Sequence, residues 1–204
     1  MKNLSIKEFA EITASKSAVP GGGSIAALCG GLGAALVEMV SNLTISNKKY
    51  SDVEEKMISI RNKAQILRND LLDYIEKDSD AYAQVMNAYK LPNINDEEKR
   101  TRSVEIQNGL KNAVLVPLEI AIKAYKVIEL SSEAVKLGNR NAVTDGMVSA
   151  MMARTAAIAA VLNAKINLVS IKDELFVAEM SEKASKLEER CIEEEKRILN
   201  SIKF

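Results

Sequence analysis

The sequence predicts an all-α fold, a multihelical bundle in a single domain spanning residues 1–204. Three observations carry that prediction. Apolar residues recur at helical spacing in the long segments, as in Leu67, Leu71, Ile75, Tyr82, Val85 and Tyr89. Capping signatures and Pro or Gly breaks cut the chain into helix-length pieces. No segment alternates apolar and polar residues as a strand does, and no internal repeat appears.

Leu4, Phe9 and Ile12 mark a short first helix, followed by a loop from Ser15 to Gly23. Ser24 stands where an N-cap would start a second helix, running to about Thr44. Ser51 with Glu54 reads as a capping box opening a third helix, which ends near Tyr89 before Leu91-Pro92-Asn93. Asn95 with Glu98 is a second capping box, and its helix extends to Leu137. Pro117 lies inside that span and is expected to kink or divide it. Gly138-Asn139 terminates it. Thr144-Asp145-Gly146 starts a small-residue helix to about Val169, with Asp145 as N-cap, and Asp173 starts the last, charged helix.

Composition excludes several chemistries. Lys plus Arg equals Asp plus Glu at 28 each, so no long-range field draws in nucleic acid, and no basic stretch is interleaved with aromatics. With 0 histidines there is no Ser-His-Asp triad, Cys-His pair or imidazole shuttle. Cys29 and Cys191 are far apart and outside any ligand cluster, so no metal site is expected. Cys29 reads as a small core residue and Cys191 as partly buried on a charged helix. Two isolated thiols without a signal peptide point to the cytoplasm. Ser24 to Ile45 is long enough to span a membrane, but Glu38, Ser41 and Asn42 interrupt it, and a helix buried in a bundle fits better. Residues 24–44 and 146–169 are both rich in Ala, Gly and Ser, which places them at the centre of the assembly. Their limited apolar bulk favours burial between subunits.

The most informative stretch is Val19-Pro20-Gly21-Gly22-Gly23-Ser24. Three glycines before a helix with little bulk let a ligand or another backbone approach closely. Free amides at a helix N-terminus favour a carboxylate or phosphate. It is not a P-loop, because no Gly-Lys-Ser/Thr follows. A turn before a tightly packed helix is the plainer reading.

Polar residues also fall where the pattern wants apolar ones. Asp78 lies inside the Leu71–Ile75–Tyr82–Val85 stripe, where a carboxylate is either paired or functional. Asp80 points almost the opposite way, about 200° around the wheel. Asn163 and Asn167 share one face of an apolar helix and suit either a heterocyclic ligand or a neighbouring helix. Asn42 and Thr44 invite the same two readings. Lys48 and Lys49 are candidate contacts for an acidic ligand.

Taken in order, the motifs resemble a known family. Pro20-Gly21-Gly22-Gly23-Ser24, Asn42-Leu43-Thr44-Ile45 with Lys48-Lys49-Tyr50, Asp78-Ser79-Asp80-Ala81 and Ala88-Tyr89-Lys90-Leu91-Pro92 come first. Val116-Pro117-Leu118, Gly138-Asn139, Asn141-Ala142-Val143-Thr144-Asp145 and Asn167-Leu168 follow. The series is similar to the cyclodeaminase/cyclohydrolase family over essentially the whole chain. Arg140 replaces a frequent Pro, and Thr144-Asp145-Gly146 replaces a frequent Ser-Asp-Ala.

The resemblance implies an intertwined homodimer with a folate site near the subunit interface, and no cofactor beyond the tetrahydrofolate substrate. It implies formimidoyltetrahydrofolate cyclodeaminase or methenyltetrahydrofolate cyclohydrolase activity, with a formimidoyltransferase as a candidate partner. The family's proton donor corresponds to Asp80, whereas the wheel argument selects Asp78, so both are candidates. Gly21, Gly22, Gly23 and Ser24 would meet the ligand. Lys48 and Lys49 would meet its glutamate carboxylates, Asn42, Asn163 and Asn167 the pterin edges, with Thr44 nearby and Asp145 as a second acid. A non-catalytic helical scaffold is the rival from another class.

Overall fold

The computed structural model describes residues 1–203, and among them there is no strand. Six α-helices follow in order: α1 (Ile6–Thr13), α2 (Gly22–Asn42), α3 (Glu54–Tyr89), α4 (Asp96–Leu137), α5 (Val143–Leu168) and α6 (Glu174–Leu199). Two short 3-10 turns, Lys48–Val53 and Arg140–Ala142, lead into α3 and α5.

Small residues put α2 at the centre, as expected. A side chain at Gly30 would press on Leu71 Cδ1 of α3 at 3.1 Å, and one at Gly33 would meet the Ser149 carbonyl of α5 at 3.1 Å. The helix backbones therefore approach closely on both sides, and α2 runs antiparallel to α3 and α5. Buried hydroxyls bridge the layers. Ser149 Oγ donates to the Gly33 carbonyl at 2.6 Å and lies 2.8 Å from Ser131 Oγ of α4. By length and composition α2 and α5 could each cross a membrane, yet 56% and 50% of their apolar windows are already buried inside the bundle.

Pro117 does not divide its helix: α4 is continuous from Asp96 to Leu137. Proline lacks the N–H that would bond the carbonyl four residues back. That orphaned carbonyl belongs to Ala113, and Asn167 Nδ2 of α5 donates to it at 2.9 Å. One side-chain amide thus satisfies the defect the proline creates.

Three expected caps are not formed. Ser24 is buried two residues inside α2, whose N-cap is Gly21. Ser51 lies within the 3-10 turn capped by Asn47, and α3 starts at Glu54 without a side-chain cap. Glu54 instead accepts from the Ser46 amide at 3.0 Å. Asp145 lies in the first turn of α5, because the 3-10 turn at Arg140 brings the helix in at Val143. The expected Asn95/Glu98 box and Asp173 cap are present, and a capping box outside those expectations, Ser5/Glu8, opens α1. The thiols also exchange environments. Cys191 is fully buried and its pKa is pushed up to about 12 by burial, while Cys29 is half-exposed.

Candidate active site

The site grows from the chain entering α2. A cis Val19–Pro20 bond precedes Gly21, whose N-cap position carries no side chain to satisfy the first-turn amides. A side chain from the next helix takes over part of that task. Asp78 of α3 lies on Gly23 so closely that a Cβ there would come within 2.0 Å of its Oδ1. Ser24 Oγ donates to Asp78 Oδ2 at 2.8 Å, and the Ser24 amide also bonds the carboxylate. Only glycine at position 23 permits this contact.

Asp78 differs electrostatically from the other shielded carboxylates. Glu38 pairs with Arg68 at 2.5 Å and Glu195 with Arg154 at 3.1 Å. Among the described residues Asp78 has no cationic partner. Burial pushes its carboxyl pKa above the usual carboxylate value, and the Ser24 hydroxyl and amide offset part of that rise. The carboxyl is thus held by donors at a helix N-terminus yet retains a protonated form above the ordinary range.

Asn163 of α5 completes the site. A Cβ on Gly22 would stand 2.9 Å from its Nδ2 and 3.2 Å from its Oδ1. Its Nδ2 donates to the Ala159 carbonyl at 2.8 Å, which fixes the amide beside the glycine turn. Gly21, Gly22, Gly23, Ser24, Asp78 and Asn163 therefore lie together at the start of α2.

The remaining candidates do not join them within one protomer. Asp80 is exposed on the outer face of α3, beside a shallow surface cavity with Gln84, Asn87 and Glu105. Asn167 lies one turn beyond Asn163, but both of its Nδ2 contacts are structural, to the carbonyls of Ala113 and Asn163. Asn42, Thr44, Lys48, Lys49 and Asp145 gather at the other end of α2, about 30 Å away along the helix axis. There Thr44 is buried, donating to the Val40 carbonyl and accepting from the Asn139 amide. Lys48, Lys49 and Asn42 are exposed, with Lys49 Nζ 5.7 Å from the Tyr50 ring centroid. Among the described residues no group of His, Cys, Asp and Glu is placed to hold a metal ion.

The helical bundle thus sets a protonable carboxyl on a glycine turn, with a side-chain amide beside it. Known proteins share this chain's fold and sequence. Residues 5–186 match the family model described as formiminotransferase-cyclodeaminase. The chain is 40% identical to methenyltetrahydrofolate cyclohydrolase of Methylorubrum extorquens, covering 87% of this chain and 85% of that one. It is 33% identical to formimidoyltransferase-cyclodeaminase of Gallus gallus, covering 90% of this chain but 34% of that longer protein. A crystal structure of formiminotetrahydrofolate cyclodeaminase from Thermotoga maritima superposes with a TM-score of 0.88 at 31% identity, covering 98% of this chain and 96% of that one. This chain belongs to the formiminotransferase-cyclodeaminase family.

Proposed function

We propose that the protein is a folate one-carbon enzyme that produces or consumes 5,10-methenyl-tetrahydrofolate, with Asp78 as its acid–base group. The observation that carries this reading is the Asp78 carboxyl, raised by burial, unpaired with any cation among the described residues, and fixed on the glycine turn. In the cyclodeaminase direction, N10 of 5-formimidoyl-tetrahydrofolate adds to the formimidoyl carbon and nitrogen leaves as ammonia. The sum of these steps consumes one proton, which Asp78 supplies from its acid form. The carboxylate left behind faces the methenyl cation and offsets its charge. Free first-turn amides of α2 and Asn163 are the groups available to orient the substrate.

A second reading is methenyltetrahydrofolate cyclohydrolase, favoured by the free-standing Methylorubrum relative that this chain matches over most of its length. Water then adds to the same cation, and the Asp78 carboxylate accepts the proton released. Purified protein is incubated with 5-formimidoyl-tetrahydrofolate while ammonia and methenyl absorbance are followed, then with methenyl-tetrahydrofolate alone. Ammonia release establishes the deaminase, and methenyl loss without ammonia establishes the hydrolase. Silence in both assays rejects the folate reading.

The active unit, in this proposal, is a homodimer. Along α5, Leu162, Ile166 and Val169 are 58%, 69% and 81% exposed, and Val148 and Met151 continue the same stripe. Leu32, Met39 and Leu43 extend the apolar face onto α2. A monomer rarely leaves so continuous an apolar patch in water. Antiparallel pairing through this face brings the Lys48–Lys49 end of one protomer toward the glycine turn of the other. Sedimentation of the native chain and of Leu162→Glu tests it: a dimer that becomes a monomer is expected, and a monomeric native chain removes the proposal.

A further inference from the structure

Helix α3 outruns its neighbour at the glycine turn. Because α2 and α3 are antiparallel and Asp78 sits on Gly23, the turns of α3 after Asp78 extend past the point where α2 begins. Tyr82 stands on that overhang, four residues beyond Asp78 and on the same face of the helix. Helical period places it in the Leu71–Ile75–Val85 stripe, yet it is 41% exposed, because α2 no longer covers that face. A long side chain on a helix leans back over the preceding turn. The Tyr82 ring therefore overhangs the turn that carries Asp78, with the two Cβ atoms about 5–6 Å apart.

The ring is also free of any cation of its own. The chain has 5 tyrosines, and three of them are occupied. Lys49 stands over Tyr50, Lys77 and Lys123 over Tyr74, and Arg190 over Tyr125, at 5.7, 4.2, 5.6 and 4.4 Å from the ring centroids. The hydroxyls of Tyr50 and Tyr125 are tied as well, accepting from the Arg140 amide and the Arg190 guanidinium at 3.0 Å each. Among the described residues no side chain makes either contact with Tyr82 or Tyr89. Tyr89 lies eleven residues beyond Asp78, ~16 Å along the helix, too far to touch a group reacting there. Of the two α3 tyrosines one turn from Asp78, Tyr74 is covered by lysines and Tyr82 is open.

An open π face beside an acid suits a particular ligand chemistry. Both folate reactions pass through the methenyl cation, whose charge is shared by N5 and N10 through the carbon between them. Such a planar, delocalised cation is attracted to the face of an electron-rich ring. The carboxylate of Asp78 offsets the charge from the turn below.

We propose that Tyr82 is a wall of the site against which the methenyl cation stacks, so that its ring favours a cationic one-carbon unit over a neutral one. The assignment rests on the folate reading of the Asp78 site. It gives Tyr82 a direct contact with the reacting group, and it leaves the opposite face of the cation open to water or ammonia.

The test measures kcat/KM with 5-formimidoyl- and methenyl-tetrahydrofolate, and Ki for 5-formyl-tetrahydrofolate, whose one-carbon unit is uncharged. Tyr82→Leu is expected to lower kcat/KM about tenfold, the scale of a desolvated cation–π contact. Tyr82→Phe keeps the π face and is expected to restore all but about twofold of that loss. Phenylalanines bearing one, two and three ring fluorines at position 82 weaken the face in steps while nearly preserving its shape. Across that series kcat/KM is expected to fall stepwise while Ki for the neutral folate stays within about twofold. Tyr89→Leu, three turns from the acid, is expected to change kcat/KM by less than about twofold. A flat fluorine series overturns the proposal, because the ring then serves only as packing. A Ki that rises in parallel with the loss of kcat/KM overturns it too, as does a Tyr82→Phe variant no better than Tyr82→Leu. A native chain that turns over neither substrate removes the folate reading and this proposal with it, whereas an active native chain matched by Tyr82→Leu removes the proposal alone.

Discussion

The two ends of α2 are built from similar residue types and do opposite things. At the C-terminal end, polar side chains close on nearby backbone: the Asn139 amide donates to Thr44 Oγ1 at 2.8 Å, the Ser46 amide to Glu54 at 3.0 Å, the Arg140 amide to Tyr50 Oη at 3.0 Å, and the Asn139 side chain to the Leu43 carbonyl at 3.0 Å. At the N-terminal end, Gly21 leaves the first turn uncapped by its own side chain, and a half-buried carboxyl from α3 moves in with no counter-cation among the described residues. Polar groups that close on themselves build structure. A titratable group held off its ordinary pKa beside open backbone donors is equipped for chemistry.

The sharpest way to break this contrast is to disturb the contact at Gly23. Gly23→Ala sets a methyl group against Asp78, and because helix backbone cannot give way, the carboxyl must swing out. Turnover is expected to fall about a hundredfold or more with helical content retained. Asp78→Asn removes the proton itself and is expected to cost about 10²–10⁴ in kcat. Asp80→Asn, on the exposed face, is expected to change kcat less than about twofold. A larger loss at Asp80 than at Asp78 would reverse the assignment made here.

The sign of the pH dependence sharpens it further. The folded-state pKa of Asp78 lies above the unfolded one. Its contribution to stability is therefore complete below the unfolded carboxylate pKa and is lost as pH rises through the folded value. Asp78→Asn is expected to equal or exceed the native chain in thermal stability at neutral pH while being inactive. Deaminase activity, which needs the acid form, should decline as pH rises through that pKa, whereas hydrolase activity should rise. Rate profiles of the native chain with each substrate read this directly.

Much of this was legible in the sequence, for identifiable reasons. The Leu71–Ile75–Val85 stripe marked Asp78 as anomalous because helical period alone places it on the buried face. The glycines announced close approach, and their partners proved to be Asp78, Asn163, Leu71 and Ser149. Caps were less legible. Ser24 and Asp145 have the right chemistry for an N-cap, but helix starts depend on tertiary neighbours, and both helices begin three residues earlier than those caps imply. Asn167 looked like a ligand contact because its partner is a carbonyl orphaned by a proline on another helix, a relation no local pattern contains.

The smallest effects test whether the structural end is structural. Asn167→Ala leaves the Ala113 carbonyl without its donor, and a buried unsatisfied acceptor costs about 1–3 kcal/mol. For a chain of this size that corresponds to a Tm lowered by roughly 2–4 °C for each kcal/mol. KM for substrate should stay within about twofold, since the amide's donor contacts run to backbone and not to the glycine turn. The companion substitution Pro117→Ala restores the missing N–H, so in that background the cost of Asn167→Ala should shrink. Thermal melts of the four chains in this cycle measure the coupling. Additive losses would show that Asn167 does not serve the proline defect, and a KM increase in Asn167→Ala alone would return it to the ligand.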